Sequence, residues 1–132
     1  MKDNAKTLLD RGVKSIYLSY PMTHDSEGKS LRKADKIHSE LEDLGFQVIN
    51  PGAISREVQF HKMQPEYHHY MAADLQALCE RADAILLVDE WSGSRGCRCE
   101  AFVAHTCGKT MLNEKLEEPA DYKSMNIIFG QK

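Results

Sequence analysis

The sequence predicts a single α/β domain, flavodoxin-like or Rossmann-like, with a parallel sheet of about five strands and helices on both faces. Short, unbroken β-rich segments such as residues 84–88 are typical of strands buried on both sides. Segments with apolar residues at helical spacing alternate with them. The 132 residues suit one domain with its own core, which we take as residues 1–132 with 1–14 as an N-terminal extension.

The first half of the chain predicts two strands separated by a helix. Residues 15–19 form the first predicted strand. Ser30 predicts the N-cap of a helix that stops at Gly45. Residues 46–49 predict the second strand. The apolar face of the helix comprises Leu31, Ala34, Ile37, His38, Leu41 and Leu44.

The segment that follows is the hardest to interpret. Residues 50–52, Asn-Pro-Gly, predict a turn, and residues 53–64 show no clear period. Pro65 predicts the start of the next helix. Its apolar stripe comprises Tyr67, Tyr70, Met71, Leu75, Leu78 and Cys79.

The second half predicts three more strands. The strand at 84–88 precedes a helix that ends at Cys107, and further strands are predicted at 109–112 and 125–129. Strands that alternate with helices form parallel sheets, in which ligands bind outside the carboxyl ends of the strands.

The most informative segment, residues 89–100, connects a buried strand to a helix through a Gly/Ser loop. A helix start offers unpaired N–H groups and the positive end of a dipole, which suit a phosphate. Glu100 lies about one turn into that helix. The sequence therefore predicts a carboxylate beside an anion site, although a solvated Glu100 on a helix surface is the plain alternative.

Composition argues against several classes of function. The net charge of −3 and pI near 6.1 provide no basic surface for nucleic acid. No apolar stretch reaches membrane-spanning length, and the first fifteen residues lack the apolar core of a signal peptide, so we expect a cytoplasmic protein without a membrane partner.

The cysteines do not predict a metal site. A zinc site would group Cys97, Cys99, His105 and Cys107, but helical residues two apart face away from each other. We expect free thiols in a reducing compartment, with no metal and no cofactor.

Four motifs in order carry a resemblance to a known family. They are Ile16-Tyr17-Leu18-Ser19-Tyr20-Pro21-Met22-Thr23; Gly45 with Asn50-Pro51; Tyr70-Met71, Asp74-Leu75 and Ala82-Asp83-Ala84; and Ser94-Arg95-Gly96 with Glu100. With these motifs, residues 15–112 resemble the nucleoside 2-deoxyribosyltransferase superfamily, in particular its small phage and bacterial branch.

The resemblance implies cleavage of the N-glycosidic bond between a (deoxy)ribose and a base. Glu100 stands where that family has the carboxylate that attacks C1′ or stabilises the oxocarbenium-like centre, as in retaining glycosidases. Asp74 matches the residue that protonates or orients the base, and Tyr17 the one that hydrogen-bonds the nucleophile.

One position separates hydrolysis from base exchange. The transferases have an Asp six residues before the Glu, whereas Ser94 stands here, with Gly96 after it as in members that hydrolyse nucleoside 5′-monophosphates. A hydroxyl and helix-start N–H groups attract a phosphate that an Asp would repel. The other substrate-binding candidates are Arg95, Ser19, Tyr20, Pro21, Asn50 and Trp91.

We therefore expect an N-glycosidase acting on a small nucleotide, with a 2-deoxyribosyltransferase or a non-catalytic nucleotide-binding module as alternatives. Tyr20 stands where the family usually has Gly, and it would narrow the pocket, stack on the base or abolish activity. Trp91 fits the base pocket and the core equally well. Asp83 is expected to brace a strand and His68-His69 to lie on the surface.

The resemblance also implies a homodimer or larger homo-oligomer, in which a neighbouring subunit closes each pocket. Asn113 or Asn126 would be the residue that the neighbouring subunit contributes to the pocket.

Overall fold

Four parallel strands form the sheet in the part of the chain that the computed structural model describes, residues 1–22 and 28–118. In chain order they are β1 (Ser15–Ser19), β2 (Gln47–Ile49), β3 (Ala84–Leu87) and β4 (Thr110–Leu112). They lie in the order β2-β1-β3-β4. The predicted α/β class with a parallel sheet is confirmed, and the strand predicted at 125–129 lies outside the described residues.

Five helices accompany the strands in the described ranges. They are α1 (Lys2–Asp10), α2 (Lys29–Asp43), α3 (Pro51–His61), α4 (Tyr67–Arg81) and α5 (Arg95–Thr106). A 3₁₀ turn over Trp91–Gly93 connects β3 to α5. The stretch predicted as an N-terminal extension contains α1, which buries Ala5 and Leu8. None of the described helices combines the length and apolarity that a membrane span requires.

The sheet is covered on both faces because successive side chains of a strand point to opposite sides. Ile16 and Leu18 of β1 pack with buried residues of α1 and α2 in one apolar cluster. Tyr17, between them, packs with buried residues of α3, α4 and α5 in a second cluster. Strands buried on both faces explain the unbroken apolar runs of the sequence.

The predicted turn at residues 50–52 is instead the beginning of α3, which extends through most of the segment without a clear period. The Asn50 side chain accepts the Gly52 N–H at 2.9 Å as N-cap, and Pro51 occupies the first turn. Only Pro51 and Ile54 of α3 are buried. A helix with so narrow a buried face leaves little periodicity in the sequence.

Three further details correct the sequence prediction. α2 begins at Lys29 after Gly28, whose φ of 70° favours glycine, rather than after Ser30. Leu31, assigned to the apolar face, is 49% exposed. α4 begins at Tyr67 after the N-cap Glu66, which forms a capping box with His69, rather than at Pro65.

Asp83 has the bracing role that its position predicted. Its Oδ2 accepts the backbone N–H groups of Lys14 at 2.9 Å and Ser15 at 3.1 Å, which fixes the start of β1 beside the start of β3. These hydrogen bonds, that of Lys14 first, lower the pKa of the Asp83 carboxyl below its ordinary value.

Candidate active site

The candidate site lies at the carboxyl ends of β1 and β3, the two central strands. β1 continues through α2 to one side of the sheet, whereas β3 continues through α5 to the other. Neighbouring strands whose connections diverge leave a crevice at the sheet edge, where α/β proteins bind ligands.

Glu100 is the acidic group at the bottom of this crevice. It lies one turn into α5 and is only 5% exposed. Its Oε2 accepts the Tyr17 hydroxyl at 2.5 Å, and its Oε1 accepts the Ser19 hydroxyl at 2.7 Å. Because Tyr17 and Ser19 are two apart on β1, one face of the strand presents both donors to the carboxylate. Glu100 is therefore not the solvated helix residue of the plain alternative.

Burial raises the pKa of the Glu100 carboxyl, and the hydrogen bonds from Tyr17 and Ser19 oppose that rise. The pKa of the Tyr17 hydroxyl is raised strongly, first by burial and then by the charge of Glu100. Tyr17 therefore stays protonated, and its hydroxyl donates a hydrogen bond to the carboxylate. This arrangement stabilises an anionic Glu100 in a site that water scarcely reaches.

A second carboxyl group, that of Asp74 on α4, faces the same cavity. It is 8% exposed, and its Oδ1 has no hydrogen-bond partner among the described residues. Burial, followed by the negative charge of Glu100, raises the pKa of Asp74 to about 7. Glu100 is held by two hydroxyl donors, whereas the buried Asp74 Oδ1 has none among the described residues, so Glu100 is expected to ionise first.

A cavity of about 320 Å³ lies in front of the two carboxyl groups. This volume falls in the range of roughly 300–1,000 Å³ that is typical of small-molecule sites. The cavity wall combines aromatic, thioether and small polar side chains. Besides Asp74 and Glu100 it comprises Tyr20, Met22, Pro51, Ser55, Gln59, Tyr67, Tyr70, Met71, Ser94, Gly96 and Cys97.

A neighbouring, wider cavity of about 760 Å³ shares Tyr67, Ser94 and Gly96 with the first. It is lined further by Pro21, Glu90, Gly93, Arg95 and Arg98. The two cavities therefore meet at the start of α5, where backbone N–H groups lack helical partners. A ligand that extends from Glu100 past the start of α5 would therefore have its far end near Arg95 and Arg98.

The start of α5 is well ordered by local contacts. The Ser94 hydroxyl accepts the Cys97 N–H at 3.3 Å as N-cap. Arg98 Nη1 donates to the Ser92 carbonyl at 3.0 Å, and the Arg95 guanidinium lies 5.5 Å from the centre of the Tyr67 ring. A Cβ added at Gly96 would stand 3.4 Å from the Tyr67 hydroxyl. These contacts fix the start of α5 where the two cavities meet.

The predicted site residues differ in which of the two cavities they line. Tyr20, Ser94 and Gly96 line the cavity with Asp74 and Glu100, whereas Arg95 and Pro21 line only the neighbouring one. Tyr20 is 5% exposed, and its hydroxyl lies 3.4 Å from Asn50 Oδ1. Tyr20 therefore packs beside the start of α3 and also forms part of the cavity wall.

Three predicted substrate-binding residues do not line either cavity. Trp91 is 3% exposed and packs in the second apolar cluster, so it is a core residue. Asn50 caps α3, and its Nδ2 lies 3.0 Å from His38 Nδ1. Ser19 is fully buried behind Glu100, which it positions through its hydroxyl.

Several cavity residues were missed by sequence reasoning. Ser55 and Gln59 reach the cavity from α3, whose weak periodicity hid the helix. The N-cap Asn50 followed by Pro51 was the signal that could have revealed it. Cys97 also lines the cavity, but burial raises the pKa of its thiol to about 11, so it is not an activated nucleophile.

Outside the crevice, a groove of about 520 Å³ between α3 and α4 is lined by His61, His68 and His69 among others. No group of three or more metal-ligating side chains is found within the described ranges.

Asn113 was one candidate for the residue that a neighbouring subunit contributes to the pocket. Its Oδ1 accepts the backbone N–H groups of Lys115 at 2.8 Å and Glu117 at 3.0 Å, and so stabilises the turn in which it lies. Asn126 lies outside the described residues.

Comparison with known proteins yields one match. Residues 14–113 match the family described as Domain of unknown function (DUF4406). The match covers all four strands, both carboxyl groups and the loop between β3 and α5. No curated protein and no solved structure matches the chain.

Proposed function

The chain belongs to the DUF4406 family, whose description assigns no activity, and from the geometry of its site we propose that it hydrolyses the N-glycosidic bond of a (deoxy)nucleoside 5′-monophosphate. The products are the free base and the sugar phosphate. The observation that carries the proposal is the pairing, across one cavity, of a doubly hydrogen-bonded Glu100 with a buried Asp74 whose Oδ1 has no partner in the described part of the chain.

Two carboxyl groups with separate environments suit the two demands of this reaction. The carboxylate of Glu100 attacks C1′, so that a C1′–O bond forms as the C1′–N bond breaks. Asp74, with a pKa of about 7, is half protonated near neutral pH and transfers its proton to the departing base. Water then attacks C1′, gives its proton to Asp74 and releases Glu100.

The surroundings of Ser94 support a 5′-phosphate on the substrate. Ser94 and the start of α5 lie where the two cavities meet, and Arg95 and Arg98 line the wider cavity together with Glu90. Positive and hydrogen-bond-donating groups of this kind favour a phosphate. An Asp at position 94, as in the transferases that the chain resembles, would repel it.

The assembly and location belong to the same proposal. Phe60 and Met63, at the end of α3 and just beyond it, are 86% and 101% exposed, and such apolar surface supports association of the chain with copies of itself. We place this homo-oligomer in the cytoplasm. Light scattering after gel filtration would test the assembly, and a monomer at micromolar concentration would contradict it.

The reaction is tested by incubating the protein with a panel of ribo- and deoxyribonucleosides and their 5′-monophosphates and measuring the released base by chromatography. We expect release from monophosphates without any second base. Glu100→Gln should lower turnover by at least about 10³-fold because it removes the nucleophile but keeps the shape. Glu80→Gln, an exposed change on α4, is the matched control and should be fully active.

Other outcomes of this panel would contradict the proposal. Release that requires an added acceptor base would identify a transferase. Tight nucleotide binding without base release, unchanged in Glu100→Gln, would identify a binding module. Folding of each variant is checked by circular dichroism, so that a loss of turnover is assigned to chemistry.

A further inference from the structure

Two exposed cysteines lie at the ends of the helices that carry the carboxyl groups. Cys79 is in the last turn of α4, and Cys107 is the C-cap residue of α5. The two helices pack in the same apolar cluster on one face of the sheet. Asp74 precedes Cys79 on α4, and Glu100 precedes Cys107 on α5.

The chain after α5 folds back onto the end of α4. The Lys109 N–H donates to the Ala104 carbonyl at 2.9 Å, which closes the turn that contains Cys107. The Lys109 ammonium donates to the Cys79 carbonyl at 3.0 Å. The Cys107 thiol is close enough to the Cys79 thiol to raise its pKa. Two exposed thiols therefore lie near each other at the ends of the helix pair.

We propose that Cys79 and Cys107 are a redox-sensitive pair that closes to an intramolecular disulfide and joins the ends of α4 and α5. The oxidant is a low-molecular-weight disulfide such as oxidised glutathione. One protein thiolate attacks it and releases one thiol, which leaves a mixed disulfide. The second protein thiolate attacks the protein sulfur of that bond and releases the second thiol. Two protein thiols are oxidised and one small disulfide is reduced.

The neighbours of Cys79 and the positions of the other two cysteines bear on the pairing. Partial burial and the nearby Cys107 thiol raise the pKa of the Cys79 thiol, and the Lys109 ammonium only partly opposes that rise. A raised pKa lowers the thiolate fraction of Cys79 at neutral pH. Cys97 is buried. Cys99 is exposed but lies about 12 Å along the axis of α5 from Cys107, beyond disulfide reach.

The consequence for the cavity rests on the proposed function, whereas the disulfide itself does not. A bond between the ends of α4 and α5 restricts the relative motion of the helices that hold Asp74 and Glu100. Two carboxyl groups that share one substrate tolerate little change in spacing. Oxidation is therefore expected to change turnover, and reduction to restore it.

The test uses the whole chain, reduced or equilibrated with oxidised glutathione, then alkylated and analysed by peptide mass mapping. We expect loss of two thiols, a peptide that links Cys79 to Cys107, and an unfolding temperature that rises on oxidation and returns with dithiothreitol. Cys99→Ser is the matched control and should oxidise as the wild type does. Cys79→Ser and Cys107→Ser should each stop at a glutathione adduct on the remaining cysteine of the pair.

Three results would overturn the inference: glutathione adducts without closure in the wild type, a linked peptide that contains Cys97 or Cys99, or a disulfide-linked dimer on a non-reducing gel. Mass mapping and unfolding decide the disulfide without any activity measurement. A protein that closes the disulfide but releases no base in either state would refute the glycosidase proposal alone.

Discussion

Glu100 and Asp74 carry the same functional group, and their neighbours give the two residues different properties. Glu100 receives hydroxyl donors from Tyr17 and Ser19, which stabilise its anion although it is almost completely buried. Asp74 has a buried oxygen without a partner among the described residues and a pKa of about 7. Environments that separate two carboxyl pKa values in this way are typical of paired acid and nucleophile roles.

Tyr17→Phe removes one of the two donors to Glu100 and should raise the pKa of that carboxyl further. A hydrogen bond to a charged group contributes roughly 1.5–3 kcal/mol, so kcat/KM should fall about 10- to 100-fold. The acid limb of the pH profile of kcat/KM should move to higher pH. Tyr70→Phe removes a hydroxyl from the cavity wall and should leave that limb in place. An unmoved limb in Tyr17→Phe would show that the tyrosine does not tune Glu100.

Asp74→Asn removes the proposed proton donor. On ordinary nucleoside monophosphates the rate should fall by about 10²–10⁴-fold, and the decline of activity as pH rises through about 7 should disappear. A monophosphate whose purine is methylated at N7 should lose far less rate, since its cationic base departs without protonation. Equal losses on both substrates would exclude Asp74 as the acid.

At the scale of elements, the connection from β3 to α5 brings the chemistry together. β3 ends at the sheet edge, the 3₁₀ turn buries Trp91, and Ser94 caps α5 so that its first turn faces the junction of the cavities. Glu100 follows about one turn later on the buried side of the same helix. A single short segment therefore positions both the candidate phosphate site and the candidate nucleophile.

Substitutions at Ser94 separate capping from phosphate binding. Ser94→Ala loses the cap and should lower the free energy of unfolding by about 1 kcal/mol, measured by urea denaturation. Ser94→Asp keeps a good N-cap and should be as stable as the wild type. Its negative charge should raise KM for the 5′-monophosphate roughly tenfold or more without raising KM for the nucleoside. An unchanged KM for the monophosphate would remove the argument for phosphate selectivity.

At the scale of the molecule, two aspartates affect stability in opposite directions with pH. The raised pKa of Asp74 means that its contribution is complete below its ordinary value of 3.8 and is lost as pH rises through about 7. The lowered pKa of Asp83 means that its contribution is present above 3.8 and is lost as pH falls. One group lies in the cavity, and the other braces β1 against β3.

Urea unfolding at about pH 5 and about pH 8 should reveal the contribution of Asp74, and a further measurement at about pH 3 that of Asp83. Asp74→Asn should gain stability relative to the wild type at the higher pH, on the order of 2 kcal/mol after allowance for solvent in the cavity. Asp83→Asn should lose stability to a similar extent at about pH 8 and about pH 5, and its deficit should shrink as the pH falls below the ordinary carboxyl pKa of 3.8. Parallel pH curves for the wild type and both variants would contradict these assignments.

The sequence by itself determined the parallel α/β class and the strand–loop–helix placement of Glu100. These features depend on local patterns: β-rich apolar runs, turn residues and helix starts lie within a few residues of one another. Family resemblance added the expectation of a Tyr17 contact with Glu100, a hydrogen bond between residues 83 positions apart.

Only the tertiary structure decided the burial of Asp74, the assignment of Trp91 to the core, the helix at α3 and the contact between Cys79 and Cys107. Each of these depends on which surfaces of distant elements pack together. The pKa of a carboxyl group depends in turn on the solvent and partners that this packing leaves to it. A residue's type and its place in the chain do not contain that information, since it arises when the helices close over the sheet.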